Sequence, residues 1–297
     1  MPFFSVIIPT YNRAAMLAAT LQTVLVQDFT DFEILVIDDG STDDTPQMMA
    51  QNFVNYKKIN YLRKKNEERS VARNFGMKQA KGEFAVFFDS DDFMHVDYLS
   101  TLYLAILKYP ACNFFACHRQ FTYEGKTTFN ETANLKTGFY DYRLLLKGSV
   151  FGTVVCARLS NPNLAFFPPE FNILEDWVFN LLNLRNDKIY FIDKVTITVN
   201  DHPNRSMQDN QKAILARRKV ADFLLPKLNL SQEEIKIFRG YGHWFCAIHS
   251  YIDGNRLEAL YDWKKTMGYL GISPKLLVFL VKILLGKKVI NCLKYLV

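Results

Sequence analysis

The sequence predicts an α/β protein: a mostly parallel central sheet flanked by helices, with a helical C-terminal extension. Three observations carry this. Short apolar, β-rich runs alternate with helical stretches through roughly the first 110 residues. Each run ends in a polar cluster rather than in a tight hairpin turn, as parallel strands joined by crossovers require. After about Met207 the chain reads as helix throughout.

The elements follow in order. Phe3 to Ile8 is the first strand and Pro9 ends it. Ala14 to Val26, rich in Ala and Leu, is the first helix, and Phe32 to Ile37 the second strand. Asp38-Asp39-Gly40-Ser41 turns the chain, and Asp43 or Asp44 is placed to cap the next helix. Lys58 to Leu62 is a third strand, Ser70 to Ala80 a helix stopped by Gly82, and Phe84 to Phe88 a fourth strand. Further on, helices are expected over Val96 to Tyr109 and Leu174 to Leu184, and strands from Asn113 and over Ile189 to Val199. The polar stretch Lys126 to Gly138 reads as a loop. Four helical segments close the chain: Gln211 to Leu225, Gln232 to Ile252, Leu257 to Thr266, and a stretch from Pro274.

Bulk properties exclude several classes. The 297 residues carry a net charge of +6, but the stretch from Pro274 onward holds five lysines and no acid. The remainder is nearly neutral, which is not the broad basic surface of a nucleic-acid binder, so no nucleic-acid partner is expected. Five scattered cysteines with no C-x-x-C spacing read as free thiols of a reducing compartment. A strand begins within three residues of the N-terminus, so no signal peptide is expected, and Leu276 to Leu285 is too short to span a bilayer.

The chemistry gathers at the strand ends. Pro9-Thr10-Tyr11-Asn12-Arg13, Asp38-Asp39, Asn66 with Arg69 and Arg73-Asn74, and Asp89-Ser90-Asp91-Asp92 follow the four strands. Parallel strands end on one edge of a sheet, and that edge is where open α/β sheets bind ligands. Three carboxylates at Asp89, Asp91 and Asp92 repel one another unless a cation joins them. A divalent metal sharing oxygen ligands with substrate phosphates is the expected solution.

FFSVIIPTYNR, EILVIDDGSTDDT, ERSVARNFGMKQAKGEF and FFDSDD, in this order and spacing, resemble the inverting glycosyltransferases of family 2, which have the GT-A fold. The resemblance is strong over residues 3 to 97 and looser to about 207. It implies a domain over 1–207, with a nucleotide-sugar-binding half (1–110) and an acceptor-binding half (111–207), followed by the helical extension 208–297. It implies a nucleoside-diphosphate sugar as donor, a UDP-sugar first, and a glycan or lipid-linked acceptor in cell-surface polysaccharide synthesis. Asp39, with Asp38 beside it, would accept a hydrogen bond from the base. A carboxylate suits the imide N–H of uracil or thymine, and a guanine N–H is also compatible. Pro9, Thr10 and Tyr11 would line the base and ribose pocket, with Asn66, Arg73, Ser90 and Asp91 on the donor. The family's glycines near Arg69 are replaced here by Glu67 and Glu68.

By the same resemblance, Asp89-Ser90-Asp91 matches the DxD motif. Mn2+ or Mg2+ would be held by Asp91 and Asp92, with Asp89 in support and His202 as a further ligand. Leu174-Glu175-Asp176-Trp177 matches the ED motif: Asp176 is the expected base and Glu175 its orienting partner, although both acids also suit a helix N-terminus. Arg205, near His202, would contact phosphate.

His95 and His118 read as structural. The apolar tail with its lysines allows three readings: a helix packed on the protein, a homodimer contact, or an interfacial helix on an anionic membrane. The expected location is the cytoplasm, with peripheral attachment to the inner face of the membrane under the last reading. Two other functions fit the residues less well: a nucleotidyltransferase, disfavoured because PTYNR lacks a Gly-rich phosphate loop, and a non-catalytic relative, disfavoured by the retained acids.

Overall fold

The computed structural model of the chain describes residues 1–123, 126–129, 134–201 and 209–294, without the side chains of 123, 128, 129 and 287–294. It divides into two compact units, Met1–Tyr142 with Val150–His202, and Arg143–Ser149 with Pro203–Val297.

The first unit begins with β1 (Phe4–Thr10), α1 (Ala14–Leu25), β2 (Phe32–Asp38), α2 (Thr45–Asn52), β3 (Ile59–Arg63), α3 (Glu68–Gln79) and β4 (Phe84–Phe87). These strands pair in the order β3-β2-β1-β4, all parallel. Every residue of β1, β2 and β4 is buried. A strand covered by helices on both faces has no solvent side, so its sequence shows a run instead of an alternation.

Beyond β4 come β5 (Phe93–Met94), α4 (Tyr98–Lys108), β6 (Phe114–Tyr123), β7 (Lys126–Phe129), β8 (Gly138–Tyr140), β9 (Cys156–Arg158), α5 (Glu175–Leu184) and β10 (Ile189–Asn200). Here the sheet turns mixed. β9 is antiparallel to both β4 and β6, whereas β10 is parallel to β6. The expected loop after Lys126 is corrected in part: β7 folds back antiparallel on β6. Its ladder is made by the backbone, and Lys126 and Thr127 stay exposed, so no apolar pattern marked it. Four cysteines, Cys112, Cys117, Cys156 and Cys246, are free and buried. His95 bonds Thr198 and His118 pairs with Asp193, structural contacts both.

The second unit carries α6 (Asn210–Leu228), α7 (Gln232–Ile252), α8 (Arg256–Leu270) and α9 (Pro274–Lys294). Ser231 and Glu234 form a reciprocal capping box that starts α7, and Asn255 caps α8. Ala247, Ala259, Trp263, Leu276, Phe279 and Ile283 make a core between α7, α8 and α9. Trp263 Nε1 donates to the Leu276 carbonyl at 2.8 Å, which satisfies the indole inside that core. α9 is interrupted at Gly286.

Candidate active site

The carboxyl ends of β1, β2 and β4 lie side by side, with Thr10 paired to Asp38 in register. The loops that leave them are latched together. The Asn12 N–H donates to Ser41 Oγ at 2.9 Å, and the Thr42 N–H to Asn12 Oδ1 at 2.7 Å. Gly40 has φ +81°, and a Cβ there would stand 2.9 Å from the Asn66 nitrogen, so the turn after β2 meets the segment after β3 only through a glycine. Pro9 and Thr10 are buried, with Thr10 Oγ1 lacking a hydrogen-bond partner; Tyr11 and Asn66 are exposed.

Asp38 and Asp39 differ in what they face. Asp38 is fully buried, accepting the Ser41 N–H at 2.8 Å and the Tyr61 hydroxyl. Burial, and then the carboxylate of Asp38, push the Tyr61 hydroxyl's pKa well up. Asp38 therefore braces the turn. Asp39 Oδ1 accepts Lys64 Nζ at 2.7 Å and the Glu67 N–H at 3.1 Å, while its Oδ2 has only a longer share of that N–H at 3.3 Å.

Arg73 is the centre of the site. It is 2% exposed, on the inner face of α3. Nη2 lies 2.8 Å from Asp89 Oδ1 and Nη1 lies 2.8 Å from Glu175 Oε1. Burial opposes the guanidinium charge, but Asp89 and Glu175 more than offset it, so its pKa is raised. Burial likewise opposes the Asp89 carboxylate, yet Arg73 and Arg69 hold it below its ordinary range. Arg69 stands 3.8 Å from Glu175. Phe167 supports this centre: its ring lies 5.3 Å from the Arg73 guanidinium and stacks on Phe179 of α5 at 4.0 Å. Asn74 brackets the Phe167 backbone in both directions, accepting its N–H and donating to its carbonyl. It acts as a brace.

The other acids also have partners. Arg13 pairs with Asp91, and Asp92 accepts the Asn200 N–H at 3.1 Å. Ser90 is buried. The repulsion among three adjacent carboxylates is thus relieved by guanidinium groups and backbone. Among the described residues, no three His, Cys, Asp or Glu side chains gather as a complete metal-ligand set. Asp89 and Asp91 still offer hard oxygens one residue apart, a donor set suited to a cation that completes its shell from phosphate oxygens. His202 and Arg205 lie outside the described residues.

Asp176 sits next to Glu175 at the start of α5. Desolvation by the surrounding protein, and then the charge of Glu175, raise its pKa; the Trp177 N–H, at 2.7 Å, and Arg119 pull the other way. Leu174, which precedes the pair, has φ +64°. Asn12 (φ +52°) and Glu68 (φ +74°) are the other left-handed non-glycine residues in this unit among those described. All three stand where a segment enters the site, the pattern expected when packing holds strained backbone at a functional centre.

Sequence reasoning brought out the acids and Arg73 but assigned no role to Arg13, Lys64, Arg119 or Phe167. Arg119 carried a signal, a charge inside the strand run FFACHRQF. Lys64 and Phe167 carried none.

The sequence matches the profile of Glycosyl transferase family 2 over residues 5–163. An uncharacterized glycosyltransferase of Rickettsia conorii is 47% identical over 93 residues, 31% of this chain and 15% of its own length. The poly(ribitol-phosphate) beta-N-acetylglucosaminyltransferase TarS of Staphylococcus aureus is 30% identical over 207 residues, 63% of this chain and 35% of its own. The crystal structure of S. aureus TarS 1–349 with UDP-GlcNAc superposes with a TM-score of 0.72 at 22% identity, covering 91% of this chain and 80% of that one. That last likeness is one of fold. The chain matches about a third or less of the length of these two sequence relatives.

Proposed function

The chain belongs to glycosyl transferase family 2, and on that premise we propose that it moves a sugar from a UDP-sugar to a hydroxyl of a glycan or lipid-linked acceptor, with inversion. One observation carries the reading. The buried Arg73 guanidinium ties Asp89, at the β4 end where a donor diphosphate would lie, to Glu175, the neighbour of Asp176.

Each residue then has a task. Asp39 takes the base. Its Oδ1 is committed to Lys64 and Glu67, which leaves Oδ2 for one N–H. Uracil offers one imide N–H between two carbonyls, whereas guanine offers two adjacent N–H donors, so the arrangement favours uracil. Tyr11 offers an exposed ring for stacking, and Pro9, Thr10 and Asn66 line the same edge. Asp176 accepts the proton of the acceptor hydroxyl as it attacks, and burial and Glu175 make it more basic than a free aspartate, the direction a general base needs. Glu175, held by Arg73, fixes where Asp176 points. A single displacement needs no protein nucleophile.

Asp91 and Asp92, with Asp89 in support and His202 as a further ligand, would hold Mn2+ or Mg2+, Asp91 doing so in place of its pairing with Arg13, and Arg205 would contact the phosphate. Bound there, a divalent ion supplies charge neutralisation for the departing nucleoside diphosphate. A polymeric acceptor that presents hydroxyls is supported by the similarity to a relative named for poly(ribitol-phosphate). We assign the work to the cytoplasm. No described helix is long and apolar enough to cross a membrane.

Isothermal titration with UDP and GDP in Mn2+ tests the donor reading. UDP is expected to bind at least tenfold more tightly, and Asp39→Asn to erase most of that preference. Equal affinities, or tighter GDP binding, would overturn it.

A further inference from the structure

α9 is apolar on two sides, and only one of them is covered. Leu276, Phe279 and Ile283 are buried, and Leu280 is partly so, against α7 and α8. Leu277, Val278, Val281, Leu284 and Leu285 remain between 42% and 58% exposed. At 100° per residue those five fill an arc of about 120° on the far side of the helix from the buried stripe. A solvent-facing helix ordinarily carries polar residues there, and one that is apolar all round is ordinarily buried.

Lys275 and Lys282, both exposed, border the arc on one side. Lys287, Lys288 and Lys294 follow in the sequence, and no Asp or Glu occurs from Pro274 onward. We propose that this arc docks on an anionic lipid surface, with α9 lying in the plane of the interface. The five aliphatic side chains would enter the acyl boundary, and Lys275 and Lys282 would meet the lipid phosphates. The charge pattern favours lipid over a second copy of the chain, because two copies of this face would oppose lysine to lysine with no carboxylate from the helix to receive them. This docking does not depend on the donor chemistry, which residues of the first unit carry.

Flotation of the full chain with lipid vesicles tests it. The chain is expected to float with vesicles of mixed phosphatidylglycerol and phosphatidylcholine, to stay in solution with phosphatidylcholine alone, and to be released by salt. Val281→Glu with Leu284→Glu should weaken binding at least tenfold without changing the melting temperature, since both positions are exposed. Lys275→Gln with Lys282→Gln should weaken it about 25-fold, at about fivefold per lysine near the surface. No flotation with anionic vesicles, equal flotation with neutral ones, or retention by the V281E/L284E protein would overturn the proposal. So would a dimer in sedimentation equilibrium that V281E/L284E converts to monomer, which would assign the face to a second copy.

Discussion

At the scale of single residues, the site works by pairing buried charges unequally. Arg73 has two carboxylate partners, Asp89 and Glu175, while Asp176 has a carboxylate neighbour and partial burial. Its raised pKa has a consequence for stability. An acid whose pKa is higher in the folded chain than in the unfolded one favours folding while protonated, below about 4, and that contribution is lost as pH rises through the raised value. Above it, ionised Asp176 opposes the fold. Asp176→Asn should therefore raise the melting temperature at pH 7.5, and the gain should vanish near pH 3. A melting series across pH checks this; a variant less stable at neutral pH would show that the carboxylate is not held against its preference. Catalysis runs the opposite way, since a base must be ionised, so turnover should rise as pH climbs through the same pKa. The acids at Asp39, Asp89 and Glu175–Asp176 were legible in sequence because each stands in a short motif with a fixed place after a strand or before a helix. Arg13 and Lys64 were not. Their roles depend on which carboxylate the fold brings to them, 78 positions away for Asp91, and nothing in the local sequence records that meeting.

At the scale of elements, helix α3 positions Arg73 only because it lies close on the sheet. Gly76, three residues on, makes that approach. A Cβ there would overlap the side chain of Ile7 on β1, itself fully buried. Gly76→Ala would gain about 1 kcal/mol in helix propensity. Forcing a methyl into a filled core costs about 1–3 kcal/mol. Ile7 has no solvent side to move into, so the steric cost wins and the variant should be less stable by up to about 2 kcal/mol in urea unfolding. A more stable variant would mean that α3 stands off the sheet. The parallel half of the sheet could be read from sequence because strands covered on both faces show as uninterrupted apolar runs, as FAVFF does. β7 could not, because a strand held by backbone bonds with exposed Lys126 and Thr127 has the composition of a loop.

At the scale of the whole molecule, the two units divide the proposed labour. The first carries the sheet edge and the acids, and the second carries the apolar arc of α9. The family follows from a match over residues 5–163, and the fold from a superposition that covers 91% of the chain. What the molecule does rests on one claim, that Asp176 takes a proton while the β1, β2 and β4 edge holds the donor. The direct measurement is release of UDP from a panel of UDP-sugars in Mn2+ by the wild-type and Asp176→Asn proteins, with UDP affinity measured on the same samples. The account predicts UDP affinity within about threefold and turnover lower by about 10²–10⁴, the range of a lost general base. Turnover by the variant at the wild-type rate, with UDP bound as tightly, would contradict it.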